Sequence, residues 1–111
     1  MAITSSVSDD GREIRIRIDG RFDFSDHENF RAAYRDVDTS KVAFRIDMSR
    51  TEYIDSAALG MLLLLRERAG GDGSRISISG CQTDVRRILE VSRFHQLFDI
   101  GGNNTTASVS R

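Results

Sequence analysis

The sequence predicts a single α/β domain with a mostly parallel sheet of about four strands and with all its helices on one face of that sheet. Strand-like and helix-like segments alternate along the chain, and this order produces parallel strands joined by right-handed crossovers. The three clearest strands each keep one polar face, whereas strands covered by helices on both sides are apolar throughout. Helices share one face only if every crossover adds its strand in the same direction. We therefore expect a βα superhelix, which lacks the switch point where open α/β sheets bind nucleotides.

The first segments predict an antiparallel hairpin and a helix. Residues 13–19 alternate isoleucine with charged side chains and form the clearest strand. An Asp-Gly turn precedes this strand, so the stretch 2–8 is expected to pair with it in antiparallel fashion. Ser25 followed by Glu28 is a capping-box pattern, and the apolar spacing after it predicts a helix over residues 26–37.

The rest of the chain repeats the order of strand and helix. Its elements are a strand at 42–48, an apolar helix at 56–69, a strand at 76–79, a helix from 82 or 83 onward and a short apolar segment at 94–100. The glycines at 70, 71 and 73 are expected to end the apolar helix by adopting left-handed backbone conformations. The last helix is expected to carry the apolar residues Val85, Ile88, Leu89 and Val91.

Length and composition favour one compact soluble domain. Sixteen basic and seventeen acidic side chains in 111 residues give a net charge of −1, which argues against binding to nucleic acid or to anionic membranes through charge. The longest apolar stretch is about half the roughly 20 residues of a membrane span. One cysteine and an N-terminus without an apolar leader indicate a cytoplasmic protein. We expect the domain to occupy residues 1–101 and the polar, glycine-led stretch 102–111 to be a flexible tail.

No arrangement of residues typical of an enzyme stands out. His27 and His95 have no metal-ligand spacing and no cysteine beside them, so both are interpreted as structural. Cys81 has no basic neighbour in sequence that would lower the pKa of its thiol, which favours an inert thiol. The glycine cluster ends a helix, whereas phosphate-binding loops begin one. We therefore expect no enzymatic activity, no metal and no cofactor.

Three loops, at 20–25, 49–55 and 80–84, follow the parallel strands and meet at one edge of the sheet, where function is expected. Asp55 and Ser56 lie in this region, just before the apolar helix. One interpretation is structural, because the side chain of either residue can cap the helix. The other is functional, because the helix dipole and unpaired amides stabilise a phosphate on a hydroxyl at a helix N-terminus. Such a phosphate adds about −1.5 to −2 charge and would prevent a partner from docking.

The segment at 46–67, I-D-M-S-R-T-E-Y-I-D-S-A-A-L-G-M-L-L-L-L-R-E, resembles the signature of STAS domains of bacterial anti-sigma factor antagonists, in which D-S-S-G-L-G precedes an apolar helix. G-R-F-D at 20–23 and the stretch 85–100 resemble two further elements of that family. The resemblance implies that a kinase, often the anti-sigma factor itself, phosphorylates Ser56 and that a phosphatase restores it. It also implies that the unphosphorylated form binds the anti-sigma factor and frees the sigma factor.

The sequence departs from the family pattern at Ala57 and Ala58, which leave Ser56 as the only hydroxyl of the motif. The stretch 22–25 and the short tail resemble the branch in which a response-regulator phosphatase with a kinase domain acts on the antagonist. The alternative is a STAS subunit of a lipid-transport ATPase, which needs no serine switch. We expect a monomer in the free state. The expected partner-binding residues are Asp55, Ser56, Ala57, Ala58, Arg21, Phe22, Asp23, Phe24, Arg50, Thr51, Glu52 and Tyr53.

Overall fold

The structure, a computed structural model, describes residues 3–101, so the expected tail lies outside the described residues. In chain order the elements are β1 (Ile3–Val7), β2 (Glu13–Ile18), β3 (Gly20–Phe22), α1 (His27–Ala32), β4 (Ala43–Asp47), β5 (Thr51–Ile54), α2 (Ser56–Arg68), β6 (Ile76–Ser79), α3 (Thr83–Val91) and β7 (Asp99–Ile100). Short 3₁₀ turns lie at Phe24–Asp26, Thr39–Lys41, Gly71–Gly73 and Phe94–Gln96.

The main sheet has five strands in the order β1-β2-β4-β6-β7. β1 runs antiparallel to β2, and the other neighbouring pairs are parallel. From β2 onward each crossover adds its strand on the same side, which confirms the predicted superhelix without a switch point. The fifth strand is β7, two residues long, in which Asp99 pairs with Ser77 and Ile100 with Ile78. It lies in the apolar segment at 94–100. A strand of two residues is too short to show an alternation pattern, so the sequence did not predict it.

The alternation predicted from the sequence separates a buried face of the sheet from an open one. Ile16, Ile46 and Ile78 lie side by side on β2, β4 and β6 and are fully buried. Arg15 and Arg45, one position earlier on β2 and β4, point to the opposite, exposed face. The buried face shares one core with apolar side chains of all three helices, Phe30, Leu62, Leu65, Val85 and Leu89. The helices therefore cover one face of the sheet, as the polar alternate positions require.

A second, two-stranded sheet was not expected. β3 and β5 pair in parallel, with Phe22 opposite Ile54, although both segments were expected to be loops. The hydroxyl of Thr51, which is fully buried, donates a hydrogen bond of 2.7 Å to the carbonyl of Ile18. This bond ties β5 to the end of β2. Strands of three and four residues are too short for an alternation pattern, and their partners lie more than 30 residues apart in the chain.

The first helix is shorter than predicted, and its N-cap residue, Asp26, makes no side-chain capping bond to it. A capping box does form, but it belongs to the 3₁₀ turn before α1 and consists of Asp23 and Asp26, not Ser25 and Glu28. The Asp23 carboxylate accepts the Ser25 amide at 3.0 Å, and the Asp26 carboxylate accepts the Asp23 amide at 3.1 Å. After Ala32 the amides bond to carbonyls three residues back, which tightens the chain out of the α-helix.

One apolar position of α3 is exposed, and the expected conformation of one glycine is wrong. Val91, the last residue of α3, is 78% exposed, although Val85 and Leu89 are buried. It follows Leu89 by two residues, a rotation of about 200° around the helix, and so lies on the opposite side. Gly70 and Gly71 have positive φ angles of 110° and 61°, but Gly73 does not. Gly73 instead closes the 3₁₀ turn, where its conformation is open to any residue.

Candidate functional site

Asp55 begins α2 and also connects it to the segment after β3. Its Oδ1 accepts a hydrogen bond of 2.8 Å from the Ala58 amide, which makes it the N-cap. Its Oδ2 accepts a hydrogen bond of 3.3 Å from the Phe24 amide, and its own amide donates to the carbonyl of Phe22, also at 3.3 Å. One carboxylate therefore fixes the start of the helix and holds the neighbouring exposed segment against it.

Ser56 is the first residue of α2 and is exposed. Its hydroxyl makes no hydrogen bond to any residue in the described part of the chain. Because Asp55 caps the helix, the hydroxyl is not needed for capping. Its position at a helix N-terminus, with free backbone amides and the positive end of the helix dipole, is one in which a phosphate is stabilised.

Aromatic and charged side chains flank this helix start. The guanidinium carbon of Arg21 lies 4.4 Å from the centre of the Tyr53 ring, an arrangement favoured because Arg21 and Tyr53 are paired across β3 and β5. The ring of Phe24 is 72% exposed and lies 6.5 Å from the ring of His27. Tyr53 is 41% exposed. Exposed aromatic side chains of this kind are enriched at protein interfaces.

Asp23 is held ionised beside this cluster. The Ser25 hydroxyl donates to its carboxylate at 2.6 Å and the Ser25 amide at 3.0 Å, and these bonds lower the pKa of Asp23 below its usual value. The Arg21 guanidinium, 3.5 Å from the same carboxylate, favours the ionised form as well. The surface beside Phe24 therefore carries a fixed negative charge and a fixed positive charge next to each other.

The residues expected to bind a partner separate into a surface set and a buried set. The exposed residues are Arg21, Phe24, Arg50, Glu52, Tyr53 and Ser56, and the partly exposed ones are Asp23, Asp55 and Ala57. Phe22, Thr51 and Ala58 are fully buried. These three side chains therefore do not lie on the surface that was expected to contact a partner: Phe22 packs on Phe30 with 5.2 Å between ring centres, Ala58 belongs to the core, and the Thr51 hydroxyl bonds to the Ile18 carbonyl. They support the surface and do not form it.

Ser49 packs closely against Gly80 and Gln82, a contact that the sequence analysis did not predict and that we call the brace. Gly80 has a φ of +76°, and a Cβ atom built on it would lie 2.9 Å from the Cβ and 3.1 Å from the Cα of Ser49. The side-chain amide of Gln82 donates to the carbonyl of Ser49 at 3.3 Å. The loop before β5 therefore rests directly on the chain that follows β6. A glycine directly after a predicted strand is the signal that could have indicated this close approach.

The histidines and the cysteine lie apart from any cluster of metal ligands. His27 and His95 are both substantially exposed, and residues 3–101 contain no group of three or more His, Cys, Asp or Glu side chains that could hold a metal ion. Burial raises the pKa of the Cys81 thiol to about 11, so the thiol is protonated at neutral pH. Over the same described range, no helix has both the length and the apolar character needed to cross a bilayer.

Comparison with known proteins gives one consistent family. A family model described as "Mlab, STAS domain" matches residues 5–99. A STAS-domain containing protein of Pseudomonas aeruginosa strain UCBPP-PA14 is 50% identical over 100 residues, which cover 90% of this chain and 99% of that protein.

Two solved structures have the same fold at low sequence identity. An anti-sigma factor antagonist from Mycobacterium paratuberculosis matches with a TM-score of 0.69 at 21% identity, over 89% of this chain and 85% of that one. The Bacillus cell fate determinant SpoIIAA in its phosphorylated form matches with a TM-score of 0.71 at 16% identity, over 93% and 92% of the two chains. At these identities the similarity carries the fold alone.

Proposed function

Because this chain belongs to the STAS-domain family, we propose that it is an anti-sigma factor antagonist whose docking is switched off when Ser56 is phosphorylated. In its unphosphorylated form it binds an anti-sigma factor and so regulates transcription. The observation that carries the proposal is the exposed Ser56 hydroxyl, which has no hydrogen-bond partner in the described structure and lies at the start of α2 beside a residue that already caps the helix.

The physical basis of the switch is a charge that the fold tolerates and a partner does not. Asp55 keeps α2 capped whether or not Ser56 is modified, and the helix dipole favours the added negative charge. A docked partner would have to remove water from a group of about −1.5 to −2 charge. Without a compensating group on the partner, this costs several kcal/mol, which corresponds to a loss of affinity of roughly a hundredfold or more.

The docking surface consists of the start of α2 and the exposed residues before it. Phe24 and Tyr53 supply aromatic contact area, and Arg21 and Asp23 supply opposite charges that fix orientation. These residues have no arrangement for catalysis, so we propose a binding module and not an enzyme. It acts in the cytoplasm as a monomer when free. Its other partners are a serine kinase and a phosphatase, the latter of the response-regulator type.

The experiment compares wild type, Ser56→Ala and Ser56→Asp purified from the native host, with Ser49→Ala as a matched exposed serine from the same edge of the sheet. Intact-mass analysis and peptide mapping should find a single phosphate on wild type, none on Ser56→Ala and an unchanged amount on Ser49→Ala. An anti-sigma factor should co-purify with Ser56→Ala and not with Ser56→Asp. Near-native circular dichroism of both variants is the control for folding.

Three outcomes contradict the proposal. A phosphate mapped to Ser49 or another residue would leave Ser56 without a role. Equal retention of the anti-sigma factor by Ser56→Ala and Ser56→Asp would remove the switch. A transport ATPase retained by every variant would identify the chain instead as a structural subunit of a lipid-transport complex.

A further inference from the structure

Helix α2 is apolar on its inward and outward sides, but within the described residues only the inward side is covered. Ala58, Met61, Leu62 and Leu65 face the core and are buried. Leu63 and Leu64 face outward and are 39% and 43% exposed. The helix has no charged residue before Arg66. A helix that is apolar all round is normally buried on all sides, so α2 has an outward face suited to burial and without cover in residues 3–101.

Helix α3 shows that this pattern is not general in the molecule. Its inward side chains Val85 and Leu89 are buried, and its exposed positions include Asp84, Arg87 and Glu90. α3 is therefore an ordinary amphipathic surface helix. Outward-facing leucines are therefore a feature of α2 and not of α3.

Gly60, on the same outward face, is required neither by close packing within residues 3–101 nor by its backbone conformation. A Cβ atom added to it would meet nothing within 4 Å, and its φ angle does not lie in the left-handed region. Glycine within a helix is less stable than alanine, because more backbone freedom is lost on folding. The free domain would thus be more stable with alanine at this position. A glycine here is explained if another molecule comes so close to the helix backbone that a side chain would obstruct it.

These residues continue directly from the proposed switch. Gly60 lies one turn after Ser56, and Leu63 and Leu64 lie one turn after Gly60, so all four share one side of the helix. Asp55 holds the exposed Phe24 against the start of the same helix. A partner that docks at Ser56 and Phe24 therefore has the outward face of α2 within reach.

We propose that Gly60, Leu63 and Leu64 form a contact surface for an apolar helix of the anti-sigma factor whose docking Ser56 controls, with Gly60 at the point of closest approach. This inference rests on the proposed function. A second copy of the chain is a poorer occupant. A stable pair joined through this face would cover Ser56 permanently and keep the kinase from it.

The test is photo-cross-linking in the native host, which captures the bound partner so that mass spectrometry can identify it. The photoreactive residue p-benzoylphenylalanine replaces Leu64 in Ser56→Ala and Ser56→Asp chains. Val91 on α3 is the control position, because it is apolar and even more exposed. The same photoreactive residue in place of Phe24 tests the proposed function independently of the α2 surface. We expect an adduct with an anti-sigma factor from position 64 in the Ser56→Ala chain, at least tenfold less of it in the Ser56→Asp chain, and none from position 91.

The substitution Gly60→Ala tests the role of Gly60 directly, because replacing a residue with only a structural role would not lower the yield of the adduct. The substitution should raise the melting temperature of the free protein by about 2–8 °C. It should also lower the yield of the adduct from position 64 severalfold. A higher melting temperature with an unchanged yield would overturn the role of Gly60.

The remaining outcomes separate this inference from the proposed function. A Ser56-dependent adduct from position 24 without one from position 64 overturns the α2 surface and leaves the proposed function standing. No adduct from either position overturns both. A product of twice the chain mass identifies a second copy as the occupant and overturns the inference. Adducts from position 64 that ignore Ser56, or equal adducts from position 91, also overturn it.

Discussion

Because Asp55 caps α2 and Ser56 does not, substituting these two adjacent residues should change the stability to very different degrees. Asp55→Ala removes the acceptor of the Ala58 amide and the acceptor of the Phe24 amide. Loss of an N-cap costs about 0.5–2 kcal/mol. The bond to Phe24 is long and exposed, and water can replace it, so it adds at most about 1 kcal/mol. The free energy of unfolding should therefore fall by about 0.5–3 kcal/mol in Asp55→Ala.

Two further variants make this prediction specific. Asp55→Asn keeps a side-chain oxygen that caps nearly as well, so its loss should stay below about 1 kcal/mol. Ser56→Ala should change the free energy of unfolding by less than about 0.5 kcal/mol, because the hydroxyl has no hydrogen bond in the described structure.

Urea denaturation followed by circular dichroism measures all three free energies, and thermal unfolding checks them. Each kcal/mol corresponds to roughly 4–8 °C in a domain of this size. If Ser56→Ala destabilised the protein as much as Asp55→Ala, the serine would share the capping role, and its hydroxyl would not be free for modification as the proposed switch requires.

Three other predictions follow from the core and from the brace. Leu62→Ala should cost about 2–5 kcal/mol in urea denaturation because Leu62 is fully buried, whereas the exposed Leu63→Ala should cost less than about 1 kcal/mol; similar losses would contradict the orientation of α2. Gly80→Ala should destabilise by about 1–3 kcal/mol through its positive φ and its clash with Ser49, and a melting temperature equal to that of wild type would show that the loop gives way. Burial raises the pKa of the Cys81 thiol to about 11, so the contribution of the protonated thiol to stability should be complete below about pH 9 and be lost as the pH rises toward 11. The folded thiol should also react with iodoacetamide much more slowly than the urea-unfolded one, and equal rates would mean an accessible thiol.

The sequence by itself determined the arrangement of the main sheet and its helices and the position of the candidate site. Alternation along β2, β4 and β6 marks one apolar and one polar side of each strand, and this local property is enough to place every helix on one face of the sheet. The D-S motif before an apolar run marks a helix start wherever it occurs, so Asp55 and Ser56 could be found without knowing what lies around them.

Only the tertiary structure decided which residues of that site reach the surface. Phe22 and Thr51 look like loop residues, but they are buried because β3 and β5 pair across more than 30 residues of chain. Asp55, and not Ser56, caps α2, and its carboxylate also accepts a hydrogen bond from the Phe24 amide. This second bond depends on where the segment after β3 lies. Leu62 and Leu63 are identical side chains in one helix, and one is buried while the other is exposed. The periodicity of the sequence shows which side of a helix or strand is apolar. Whether that side is buried depends on which distant parts of the chain pack against it.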